Sequence, residues 1–235
     1  MNDSLKLRLE ELTDNPSARV PICLTLDTSA SMTGTKIQEL NLAIRWFLDE
    51  IKRDEQASIS AELAVVSFGS HVTKVAEFAG VERLNVPTLI AHGNTAMGSA
   101  VIESLALLEK EKRRYSEMGI EYFQPWLVLM TDGEPTDDIT EAVRQCGELL
   151  ARRKLTVFPV AIGGEANLAT LGMFAPNLEP LRVGSDDLKK FFRWLVASIK
   201  TQSMSNAGDR ASASLGEAEF RRAAKTWDSI FPRRS

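Results

Sequence analysis

Two short apolar runs, each closing on an aspartate, constrain the fold of this chain more than any other feature. Pro21–Leu26 runs into Asp27, and Pro125–Thr131 runs into Asp132. Each has the length of a strand buried on both faces, as strands inside parallel sheets are. Such strands need helices on both sides of the sheet, and the rest of the chain supplies them. Over 35–53, Ile37, Leu40, Ile44, Phe47, Leu48 and Ile51 recur at helical spacing and predict one buried face.

The remaining pattern alternates in the same way. Ser60–Phe68 reads as a strand, Gly69-Ser70-His71 as a turn, and Val72–Phe78 as an edge partner in a hairpin. A long helix is expected over 95–118, with Met97, Val101, Leu105 and Leu108 inside and an exposed charged end at Glu109–Arg114. After the second apolar run come a helix at 139–153, a strand at Leu155–Ile162, a short helix at Leu168–Phe174, a small strand at Pro180–Val183 and a helix at 185–200. The whole predicts an α/β, doubly wound, mostly parallel central sheet with one antiparallel edge strand. Residues 1–18 read as an N-terminal arm, 19–200 as the domain, and 201–235 as a flexible linker followed by an amphipathic helix. In that last helix Phe220, Ala223, Ala224, Trp227 and Phe231 share a stripe. It suits either a helix folded back on the domain or one that binds a partner.

Composition narrows the function. Over 235 residues the formal net charge is −4, so no excess of Lys and Arg is available for phosphate neutralisation, and a nucleic-acid role is not expected. No apolar run approaches a membrane span. The first residues lack the apolar core of a signal peptide, which predicts a cytoplasmic protein. Cys23 and Cys146 have no metal-ligand spacing and read as small buried apolar residues.

Chemistry concentrates where the strands end. Asp27, Ser29 and Ser31 alternate in the loop after the first run, Asp132 follows the second, and Thr95 opens the helix that lies between them in sequence. In a doubly wound sheet all three loops reach the carboxyl edge, where such folds keep their binding crevices. Two carboxylates and three hydroxyls suit a hard divalent cation such as Mg²⁺, with Mn²⁺ or Ca²⁺ as alternatives. With only two negative charges around it, that ion would attract a further carboxylate, an Asp or Glu of a protein partner. The positive ends of the helices near Thr35 and Thr95 would add to the attraction. The plainer reading of Asp27–Ser31 is a Ser/Thr-rich turn that caps the next helix. Asp137 and Asp138 suit the outer shell of a metal, but Asp138 more simply caps the helix after it. Glu134 and His92 suit solvated loop positions better than ligand ones.

The Asp27-Thr28-Ser29-Ala30-Ser31 stretch, Thr95 and Thr131-Asp132-Gly133 resemble the DxSxS, threonine and TDG elements of the metal-ion-dependent adhesion site of von Willebrand factor A domains. The resemblance implies a three-layer, Rossmann-like fold over about residues 19–200. It also implies that Ser29, Ser31 and Thr95 contact the metal directly, with Asp27 and Asp132 acting largely through water. Asp14-Asn15-Pro16 and the Trp126–Asp138 stretch look like the intracellular bacterial TerY-like branch, associated with tellurite resistance, stress response and kinase or phosphatase partners. The expected function is therefore a metal-dependent protein-binding module without enzymatic activity. One alternative is a phosphohydrolase of the haloacid-dehalogenase type, which also opens on an apolar strand and an Asp. That chemistry needs a general acid two residues on, where this chain has Ser29. The other alternative is a scaffold whose metal site is unused.

Overall fold

The computed structural model describes residues 15–205, 217, 218 and 220–222. Of the arm expected over 1–18, residues 1–14 lie outside these residues, as do Ala223, Ala224, Trp227 and Phe231. Six strands form one sheet: β1 (Val20–Asp27), β2 (Ala61–Phe68), β3 (Val72–Gly80), β4 (Trp126–Thr131), β5 (Thr156–Ile162) and β6 (Leu181–Val183), in the order β3-β2-β1-β4-β5-β6. Every neighbouring pair is parallel except β2 with β3. All residues of β1, β2, β4 and β5 are buried, as strands covered on both faces must be. The antiparallel β3 is partly exposed, and its register with β2 slips near Leu63 and Val65. An irregular edge of this kind discourages pairing with another chain.

The helices are α1 (Thr35–Arg53), α2 (Glu55–Ser60), α3 (Met97–Met118), α4 (Thr140–Ala151), α5 (Leu168–Phe174) and α6 (Leu188–Ser203). They fall into two groups: α1, α2 and α6 pack on one another, α4 packs on α3, and α5 packs on α4. Of the six apolar positions expected inside α1, five are buried and Ile37 is half-buried against the core. Phe47 of α1 meets Phe192 of α6 with ring centroids 4.8 Å apart. Phe158 of β5 lies among Trp126, Trp194 and Phe220, at 5.3, 5.6 and 5.1 Å.

The structure differs from the sequence reading in four places. The short helix α2 had not been anticipated. Asp54 starts it by accepting hydrogen bonds from the backbone N–H groups of Gln56 (3.1 Å) and Ala57 (3.0 Å). The end of α3 is not the exposed charged stretch expected. Glu111 is buried, because Ser104, Leu108, Glu111 and Tyr115 continue one inward stripe, and Arg114 Nη1 donates to its carboxylate at 2.9 Å. A 3-10 turn at Ser185–Asp187 precedes α6. That helix then runs to Ser203, into the segment expected to be linker.

Cys23 and Cys146 are free and buried, and burial pushes both thiols up to about 12. Among the described residues no helix is long and apolar enough to cross a membrane.

Candidate metal centre

Strands β1 and β4 are adjacent at the middle of the sheet, and the chain leaves them in opposite directions across it. Their carboxyl ends therefore form the switch point of a doubly wound sheet, where the departing loops separate and leave a crevice. Asp27 is the last residue of β1, and Asp132 directly follows β4. Both are fully buried, and Ser29 and Thr95 are almost so, whereas Ser31 is exposed and forms the mouth.

Backbone bonds knit the three loops together. His92 N donates to Thr28 O at 2.8 Å and Ala30 N to Gly93 O at 2.9 Å, which joins the loop after β1 to the one before α3. Thr136 N donates to Thr95 O at 2.9 Å, and Thr95 N to Thr136 Oγ1 at 3.0 Å, which ties that second loop to the one after β4. Gly69 lets the β2–β3 turn close on this cluster. A Cβ there would stand 2.5 Å from His92 O.

The side-chain oxygens form a continuous chain. Ser29 Oγ lies 2.8 Å from Ser31 Oγ, and Ser31 Oγ donates to Asp132 Oδ1 at 2.6 Å. Asp27 closes the floor: its Oδ1 accepts from Ser29 N at 2.7 Å, and its Oδ2 accepts from Thr131 Oγ1. Burial pushes the Asp27 carboxyl above the ordinary aspartate range, against the pull of these bonds. Thr95 faces the chain from across Gly133. A Cβ on that glycine would meet Ser31 Oγ at 3.5 Å and Thr95 Oγ1 at 4.0 Å, so its bare backbone keeps the space between the two hydroxyls open. All five residues singled out from the sequence thus come to one place.

A divalent cation fits this donor set, which is all oxygen and draws on two carboxylates. No cluster of three His, Cys, Asp or Glu side chains that could hold a metal occurs among the described residues. A cation here would therefore depend on the hydroxyls as well as the carboxylates.

Three further residues shape the site: Lys36 and Thr136 had not been singled out from the sequence, and Asp137 had been read only as suited to a metal's outer shell. Lys36, in the first turn of α1, donates from Nζ to Asp132 Oδ2 at 2.6 Å and to Glu165 Oε2 at 3.2 Å. Desolvation lowers the pKa of this ammonium, but the bonds to Asp132 and Glu165 outweigh that effect and hold it above the usual lysine value. A cation in a helix's first turn opposes the helix dipole, and that was the available signal. Thr136 anchors Thr95 as described, and nothing local announces it. Asp137 caps α3 from outside it, accepting from Gly98 N (3.0 Å), Ser99 N (2.8 Å) and Ser99 Oγ (2.8 Å). The amino end of α3 is therefore already met by a carboxylate, which offsets the attraction for an incoming anion expected from it. Asp138 accepts from Thr140 N at 2.9 Å at the start of α4, in keeping with its helix-capping reading. Glu134 accepts from Asn167 Nδ2 (2.5 Å) and Thr170 Oγ1 (3.2 Å), which binds its loop to α5. His92 is exposed.

Fold and loop cluster together define a doubly wound α/β domain with an oxygen-lined site at its switch point. Residues 22–187 match the family model of the von Willebrand factor type A domain, and the chain belongs to that family. It is 26% identical over 181 residues to the uncharacterized protein sll0103 of Synechocystis sp., a match covering 74% of this chain and 40% of that one. Its structure is similar to a von Willebrand factor type A protein from Catenulispora acidiphila (TM-score 0.58, 19% identity, 78% of this chain and 43% of that one). It is also similar to proximal thread matrix protein 1 from the mussel byssus with a zinc-occupied MIDAS motif (TM-score 0.55, 16% identity, 78% and 48%). The chain thus spans less than half the length of each of these proteins. At such identities the structural likeness speaks for the fold.

Proposed function

We propose that this chain is a divalent-metal-dependent protein-binding module, in which Asp27, Ser29, Ser31, Thr95 and Asp132 hold the ion. The observation that carries the reading is the run of oxygens from Ser29 through Ser31 to Asp132, at 2.8 and 2.6 Å, with Thr95 opposite across Gly133. Mg²⁺ is the leading candidate, with Mn²⁺ or Ca²⁺ next; the zinc-occupied motif of the mussel protein adds Zn²⁺. A bound cation would supply an incompletely neutralised positive centre, to which a partner's Asp or Glu adds an oxygen. The protein's own part is to hold two carboxylates and three hydroxyls in place before the ion arrives. Pre-organisation of this kind lowers the ordering cost of binding.

A phosphohydrolase of the haloacid-dehalogenase type would need a proton donor two residues after Asp27. Ser29 stands there, with its N–H on Asp27 and its hydroxyl against Ser31. The partner's nature is part of the proposal. A TerY-like stress-response setting, with a kinase or phosphatase as partner, rests on the likeness of the Asp14–Pro16 and Trp126–Asp138 stretches.

Titration calorimetry with Mg²⁺ and Mn²⁺ tests the metal. Ser29→Ala is expected to weaken binding by roughly tenfold or more while unfolding stays cooperative; unchanged affinity would overturn the ligand assignment. A partner held through the site should be released by EDTA. Retention in EDTA would favour the scaffold reading.

A further inference from the structure

Among the described residues the one ammonium bonded to a candidate metal-binding carboxylate is that of Lys36, and the molecule goes to some length to put it there. Lys36 sits in the first turn of α1, where the helix dipole repels a positive charge and where no acidic residue is present to compensate. Its side chain leaves the helix, passes Gly163 (a Cβ there would stand 3.8 Å from Lys36 Cε) and ends bonded to two carboxylates from different loops. One is Asp132 at 2.6 Å, whose side chain is fully buried; the other is Glu165 at 3.2 Å, whose side chain is 79% exposed. The two oxygens of Asp132 are thus divided: Oδ1 takes the Ser31 hydroxyl, and Oδ2 takes the ammonium.

We infer that Lys36 is a tethered counter-ion that competes with the metal for Asp132 and, when displaced, stays paired with Glu165. The inference rests on the metal-binding reading above. A divalent ion drawing on Asp132 would come close to the ammonium, and two like charges at such separations in a partly buried site repel strongly. The ammonium then has to leave Asp132. Glu165 gives it somewhere to go, because that carboxylate already touches it and lies toward solvent, so the displaced cation keeps an ion-pair partner. The arrangement makes metal binding an exchange of one cation for another on a buried carboxylate. Asp132 is therefore neutralised whether or not the ion is present, and intrinsic affinity is lowered in return. Asp27 has no such device, since its oxygens are met by the Ser29 amide and the Thr131 hydroxyl.

Two measurements on the full chain test this. The first is a double-mutant cycle read by calorimetric Mg²⁺ and Mn²⁺ titration at constant pH and ionic strength. K36M is expected to tighten binding by roughly tenfold, because it removes both the competitor and the repulsion. E165Q is expected to weaken binding about threefold to tenfold in the wild-type background, and less than about twofold in the K36M background, because the exposed carboxylate acts mainly through Lys36. The second needs no variant. Competitive acylation of lysines, read by mass spectrometry, should show Lys36 reacting faster when Mg²⁺ is added, relative to the exposed Lys110. If metal binds the wild type but K36M does not tighten it, or if Lys36 acylation is unchanged or slower on saturation, the Lys36 inference fails and the metal site stands. If the wild type takes up no metal at all, the metal-binding reading itself fails.

Discussion

Asn41 illustrates how a single polar side chain can position a functional loop. It is buried on α1 and holds both backbone groups of Leu89: Nδ2 donates to Leu89 O at 2.9 Å, and Leu89 N donates to Oδ1 at 2.7 Å. The segment so held leads directly to Thr95. Asn41→Ala would leave a buried N–H and a buried C=O unpaired, a loss of about 3 kcal/mol. Urea unfolding checks this, and a change below about 1 kcal/mol would mean that water or a rearrangement replaces the amide. The sequence contains no hint of the role, because an asparagine among the apolar positions of a helix looks like an exposed neighbour. Lys36 is similar in kind. Its partners come from loops after β4 and β5, and only the unfavourable position in the first turn of α1 set it apart.

Among the elements, α3 carries the most weight for the site, since its entry places Thr95. Its expected extent over 95–118 is close to the observed Met97–Met118, and all four apolar positions expected inside it are buried. Its cap, however, comes from the loop after β4, where Asp137 takes the N–H groups of Gly98 and Ser99. Gly98 permits that approach, because a Cβ there would stand 2.5 Å from Asp138 O. Asp137→Ala is expected to destabilise the fold by about 1 kcal/mol. The loss should be equal with EDTA and with Mg²⁺ in thermal or urea unfolding, because the role is a cap. A loss seen only with Mg²⁺ would place Asp137 in the metal's outer shell instead.

For the molecule as a whole, the site and the main aromatic cluster lie in different parts of the sheet. The loops gather at the carboxyl ends of β1 and β4, whereas Phe158, Trp126, Trp194 and Phe220 meet nearer the amino ends of β4 and β5. Phe220 is fully buried there, 5.1 Å from Phe158 and 5.5 Å from Trp194. Phe220→Ala is expected to lower stability by about 3 kcal/mol. Metal affinity by calorimetry should stay unchanged, since distant sites without shared partners act independently. A parallel fall in affinity would show that this cluster and the loops are coupled.

The amino-acid sequence alone determined the sheet, all but the short α2 of the helices that cover it and the five oxygen-bearing residues of the candidate site. Those features follow from local periodicity and from where apolar runs end, and burial makes both visible in a single chain. The partners of Lys36, Asn41, Thr95 and Asp137 were settled only by tertiary structure. Each is joined across 38 to 129 residues by hydrogen bonds that no local pattern encodes. A bond between distant residues leaves no periodic trace, because one polar side chain looks the same whether it meets water or a buried carboxylate.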